Sequence, residues 1–119
     1  MTTASERPEE QRDSRAIIKE MAARIVDRFH PERIILFGSH ARGTAGPDSD
    51  VDLLVVMRGV EGRRRKAATE IDLALKGIEL PADSLVITPE DLERGRRQIG
   101  TVVRPALREG KVLYDARRS

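Results

Sequence analysis

The stretch Phe37-Gly38-Ser39-His40-Ala41-Arg42-Gly43-Thr44-Ala45-Gly46-Pro47-Asp48-Ser49-Asp50-Val51-Asp52 decides how this chain is read. Before it, Arg33-Ile34-Ile35-Leu36-Phe37 is rich in β-branched and aromatic residues and stops at Gly38; after it, Val51 to Met57 is a second run of the same kind. Gly43, Gly46, Pro47, Asp48 and Ser49 are turn formers, so two strands flank a loop of about a dozen residues. Asp50 and Asp52 stand two residues apart where the second strand opens. That spacing sends both carboxylates to one face, with Cα atoms roughly 6 to 7 Å apart. Two negative charges so close, beside an apolar strand, disfavour each other unless a cation or a base offsets them. The pair therefore asks for a function.

Gly38 and Ser39 supply the complementary half. Glycine permits a close backbone approach, serine offers a hydroxyl, and a short helical turn over Ser39 to Arg42 aims free N–H groups outward, a combination that suits a phosphate. The loop is expected to return the chain so that Gly38 lies beside Asp50 in an antiparallel pair.

On the N-terminal side, residues 1–12 are polar and contain Pro8, and read as a disordered lead-in to a single domain over 13–119. From Asp13 or Ser14 as N-cap, Ile18, Met21, Ala22, Ile25 and Phe29 recur at helical spacing, and the helix ends before Pro31. On the C-terminal side, Glu61 to Lys76 reads as a second long helix stopped by Gly77. Asp83 to Thr88 is a third strand, and Thr88 caps a helix that opens on Pro89-Glu90-Asp91. A further helical turn or two around Val102 to Arg108 leads through Gly110 into an edge strand, Lys111 to Tyr114. The order is α-β-loop-β-α-β-α-α-β. A strand-helix-strand unit from Val51 to Thr88 implies a crossover that sets the third strand parallel to the second and brings Asp83 to the edge where Asp50 and Asp52 begin.

Composition bounds the chemistry. The 119 residues carry 22 Lys plus Arg against 20 Asp plus Glu, a net +2, with 39% hydrophobic and 3% aromatic residues. Leu, Ile, Val and Ala must build the core, and so small a net charge with both signs interspersed does not indicate nucleic-acid binding. There is no cysteine, which excludes thiolate metal sites, cysteine nucleophiles and disulfides and is compatible with a cytoplasmic setting. Apolar stretches such as Leu53 to Met57 fall far short of the ~20 residues a membrane span needs. Two other motifs fail. Gly38-x4-Gly43 has the glycine spacing of a phosphate-binding loop, but Thr44 and Ala45 stand where Lys and Ser/Thr are required. A calcium loop begun at Asp48 would need Gly at Leu53 and Glu at Gly59.

Gly38-Ser39, ten intervening residues and Asp50-Val51-Asp52 resemble the GS-x10-DxD signature of the nucleotidyltransferase superfamily that includes DNA polymerase beta. With Gly-Ser-x-Ala-Arg-Gly filled by Gly38 to Gly43 in so short a chain, the resemblance is closest to the minimal nucleotidyltransferases (MNT). It implies an α+β fold in which a small mixed sheet is flanked by helices and binds a nucleoside triphosphate through two Mg²⁺ ions. Asp50, Asp52 and Asp83 would then be catalytic carboxylates and metal ligands. Gly38 and Ser39 would hold the β- and γ-phosphates, and Arg42 would counter charge on the triphosphate.

The resemblance also implies a biology. Free-standing MNT proteins are often the antitoxin of a module whose toxin is an all-helical HEPN ribonuclease, and transfer AMP from ATP to a toxin tyrosine. The expectation is AMPylation of such a partner within a hetero-oligomer, since the 119 residues include no separate domain for binding an acceptor. Two other readings stand beside it: a catalytically idle module that neutralises its partner by contact, and transfer to a small hydroxylated molecule. His40 reads as a bystander or a loop contact, the run Arg63-Arg64-Arg65-Lys66 as a solvated helix face rather than an RNA contact, and Tyr114 as an edge packing residue.

Overall fold

In the computed structural model, residues 13–98 and 103–118 are described, and the expected lead-in over 1–12 lies outside them. Helix α1 (Ser14–Phe29) is capped by Asp13, whose side chain accepts from Arg15 N, and it ends at His30 in the left-handed conformation. Strand β1 (Arg33–Phe37) leads into a single helical turn, α2 (Ser39–Arg42). After the loop come β2 (Val51–Val56), α3 (Arg64–Ala74) and β3 (Ala82–Ile87). Helices α4 (Pro89–Arg97) and α5 (Val103–Glu109) precede β4 (Lys111–Asp115) and a short 3-10 turn over Ala116–Arg118. The element order expected from sequence holds, with α2 formed inside the loop and the last turn added.

The sheet runs β3-β2-β1-β4. The β1 strand is antiparallel to both β2 and β4, whereas β2 and β3 are parallel, as the crossover requires. Both inner strands are almost continuously buried because helices cover both faces. On one face Ile34, Leu36, Leu53 and Val55 pack against Met21 and Ile25 of α1 and Ile71 of α3. On the other, Ile35, Leu54, Val56 and Ile87 meet Leu92 of α4 and Val103 and Ala106 of α5. Strand alternation assigns Asp50 and Asp52 to this second face, in line with Leu54 and Val56.

Helix α3 begins three residues later than its apolar pattern predicts, because Gly62 adopts a φ of +80° in the turn before it. Its first residue is then fixed to α4. Thr88 and Asp91 form a reciprocal capping box, Asp91 N to Thr88 Oγ1 at 3.0 Å and Thr88 N to Asp91 Oδ2 at 2.9 Å. Arg64 donates to both oxygens of the same carboxylate, at 2.6 and 3.1 Å. The Arg64 hydrogen bond, together with those from Thr88, holds the Asp91 carboxyl down at about 2. Arg64 is therefore structural, not part of a solvated basic face. No described helix is long and apolar enough to cross a membrane.

Candidate active site

The carboxylates lie at the sheet end where β2 and β3 begin. Asp52 pairs in register with Asp83 across the parallel β2–β3 ladder, and with Phe37 across the antiparallel β1–β2 ladder. Asp50 sits two residues before Asp52, exposed at the strand entrance. The three acidic side chains expected from sequence therefore share one edge of one face.

Gly38 is where the two halves of the motif meet. Its backbone holds φ +76° and ψ −156°, a region that side chains rarely adopt. A Cβ built on it would overlap the Asp52 carboxylate, closer than any real Cβ contact. The glycine thus lies against Asp52, one register step from the expected pairing with Asp50. The sequence left that step open because a long loop does not fix the register of the strands it joins.

Beyond Gly38, the turn of α2 is closed by Ala41 N and Arg42 N, both donating to Gly38 O at 3.1 Å. The amides of Ser39 and His40 precede these bonds and have no helical partner. The loop is pinned from both sides. His40 Nε2 lies 3.1 Å from Ser49 O, and Gly46 N donates to Ser49 Oγ at 2.9 Å. Of the two readings of His40, bystander or loop contact, the structure has the contact. Arg42 is half exposed, 3.8 Å from Glu109 at the end of α5. Phe37, Gly38, Arg42, Pro105, Ala106 and Glu109 line a cleft of about 210 Å³ beside the carboxylates. A larger groove, about 470 Å³ between α1 and β4, is lined by Ala22, Val26, Leu113 and Tyr114 and contains none of the motif residues. Tyr114 is packed against the core, as expected of an edge residue.

The electrostatics centre on Asp52. Burial pushes its carboxyl up, the Asp83 and Asp50 charges push it further, and His40 and Arg42 only partly oppose them. A group so destabilised in its charged form is relieved by a cation, and an all-oxygen donor set fits a hard divalent ion such as Mg²⁺. Among the described residues, however, no three His, Cys, Asp or Glu side chains are gathered closely enough to hold one. The convergence expected from sequence is one of strand ends and charge.

A profile of the nucleotidyltransferase domain matches residues 18–112. The chain belongs to the nucleotidyltransferase domain family. The domain is 38% identical over 88 residues to "Putative protein adenylyltransferase MJ1305" of Methanocaldococcus jannaschii, an alignment covering 69% of this chain and 57% of that protein. It therefore spans little more than half the length of this curated relative. A "putative nucleotidyltransferase" from Sulfolobus solfataricus superposes with a TM-score of 0.60 at 19% identity, over 87% of this chain and 82% of that one. A toxin-antitoxin with AMP-PNP superposes at 0.53 with 21% identity, over 84% and 75% of the two chains. A toxin-antitoxin MntA-HpeT mutant gives 0.54 at 18% identity, over 83% and 73%. These structural likenesses establish the α+β nucleotidyltransferase fold of the domain.

Proposed function

We propose that this nucleotidyltransferase domain transfers AMP from ATP to a hydroxyl of a partner protein, as the antitoxin that AMPylates a HEPN ribonuclease toxin. The observation that carries the chemistry is the placement of Gly38 against Asp52, with Asp83 in register beside it. Support for the adenylyl group comes from the name of the curated relative, and support for a toxin partner from the toxin-antitoxin neighbours.

In this reading the amides of Ser39 and His40 and the Ser39 hydroxyl receive the β- and γ-phosphates. Arg42, half exposed and only loosely paired with Glu109, turns to the triphosphate. The acceptor oxygen forms a bond to the α-phosphorus in line with the α–β bridging P–O bond that breaks, and pyrophosphate departs. Asp83, exposed beside Asp52, accepts the hydroxyl proton. Asp50, Asp52 and Asp83 would hold Mg²⁺, which when bound neutralises charge on the entering and leaving oxygens.

The test is incubation of the protein with each α-labelled nucleoside triphosphate and Mg²⁺ in host lysate, beside Asp50→Asn, followed by separation of protein, RNA and small molecules. Label from ATP in one protein band, absent with the variant, is the expected result. Label in a small-molecule fraction would move the acceptor to a small hydroxylated compound. No label in any fraction, from folded protein that still binds a partner, would leave neutralisation by contact.

A further inference from the structure

The small net charge of the chain conceals a strong segregation. From Arg94 to Arg118 there are eight cationic side chains against two acidic ones, Glu109 and Asp115, although Arg94, Arg96 and Arg97 are paired with Asp91 or Glu93 of the same helix. The fold gathers part of that charge. Gly95 of α4 faces Val103 of α5 so closely that a Cβ at 95 would overlap the valine side chain. The next residue on each helix is an arginine, so the contact brings Arg96 and Arg104 together. With Leu107 and Arg108 they line an open cleft of about 240 Å³.

Two of the three arginines are free of carboxylate partners among the described residues. Arg96 reaches Glu93 at only 3.8 Å, and among the described residues neither Arg104 nor Arg108 has an ion pair. Arg104 and Arg108 are four apart on one helix, a like-charge spacing that destabilises an isolated helix by a few tenths of a kcal/mol. The neighbouring cleft differs: its Arg33 is paired with Asp115 and its Arg58 with Glu32.

We propose that the α4–α5 cleft binds the phosphodiester backbone of a polynucleotide through Arg96, Arg104 and Arg108. Guanidinium groups take two phosphate oxygens at once, and three of them around a concavity match a tetrahedral anion better than the scattered carboxylates of an acidic protein surface. Among the described residues the cleft lining has no aromatic ring, so the contacts go to the backbone and carry little sequence preference. Its position links it to the carboxylate site: Pro105, Ala106 and Glu109 of α5 line the cleft beside Gly38, while Arg104, Leu107 and Arg108 of the same helix line this one. The two clefts thus lie on either side of α5, about one helix diameter, ~10 Å, apart. The inference does not rest on the transfer reaction.

Fluorescence anisotropy of the full chain with a labelled single-stranded RNA of about 20 nucleotides, over a salt series, tests it. The native protein is expected to bind, and Arg104→Glu/Arg108→Glu to weaken binding by about tenfold or more, lowering the log–log salt slope by about 1.4. Arg65→Glu/Lys66→Glu on exposed α3 positions is expected to leave affinity within about twofold, which separates the cleft from the other basic run. Thermal melts establish that the variants fold, and Arg104→Gln/Arg108→Gln replaces the charge reversal if it does not. Absence of RNA binding, or native affinity in the folded α5 variant, would overturn the proposal. So would displacement of the RNA by polyglutamate as readily as by unlabelled RNA, which would assign the cleft to an acidic protein. Displacement by inorganic phosphate at matched phosphate concentration would overturn it in favour of a free-anion site.

Discussion

Gly38 is the residue on which the site turns. Its positive φ and the Asp52 carboxylate occupying the space of a side chain are two independent reasons why no other residue fits. Replacement by alanine would shift the carboxylate or the backbone, at roughly 1 to 3 kcal/mol of strain. A displacement of that kind at a reacting centre costs about a hundredfold in rate. Gly38→Ala is therefore expected to lose transfer activity by about that factor or more while still folding, checked by labelled-ATP transfer and a thermal melt. Much of this was legible beforehand. The two-residue spacing of Asp50 and Asp52 placed them on one face, and the parallel crossover brought Asp83 into line. What was not legible was which aspartate meets the glycine, because that depends on a one-residue register across a loop whose conformation is held by His40 and Ser49.

Among the elements, α3 and α4 depend on a single carboxylate. Asp91 completes the cap of α4 and accepts both hydrogen bonds from Arg64 at the start of α3, at the sheet end opposite the candidate site. Asp91→Asn is expected to lower stability by about 1 to 2 kcal/mol in chemical unfolding at neutral pH, with little effect on transfer. Because the Asp91 carboxyl is lowered from an ordinary 3.8 to about 2, its contribution is fully present above pH ~4 and is lost as pH falls toward ~2. Unfolding curves of the native protein and the variant should accordingly converge between those values; a gap that stays constant to pH ~2 would contradict the assignment. The capping box was readable from Thr88-Pro89-Glu90-Asp91, since its parts are local. The Arg64 contact was not, since its partner lies 27 residues away and no periodicity announces it.

At the scale of the whole molecule, the distribution of charge matters more than its sum. The +2 total gave no reason to expect a polyanion, yet counting by segment shows eight cations against two acids from Arg94 to Arg118, of which Arg104 and Arg108 have no ion pair among the described residues. That excess of cations was present in the sequence and was averaged away. Its concentration into one cleft was not present there, because it requires the Gly95–Val103 contact between two helices. The fold class was legible because the motif, the strand order and the helical periodicities all agree. The domain thereby places acidic groups at one edge of its sheet and arginines across one short helix from them.

The most direct test of the transfer site is a single-turnover reaction with α-labelled ATP and Mg²⁺, in the presence of the acceptor found by labelling, comparing the native protein with Asp52→Asn. A fall of about a thousandfold, about 4 kcal/mol of lost transition-state stabilisation, with retained fold and retained partner binding is the expected result. Transfer by Asp52→Asn at the native rate would contradict the assignment of Asp50, Asp52 and Asp83 as the catalytic carboxylates.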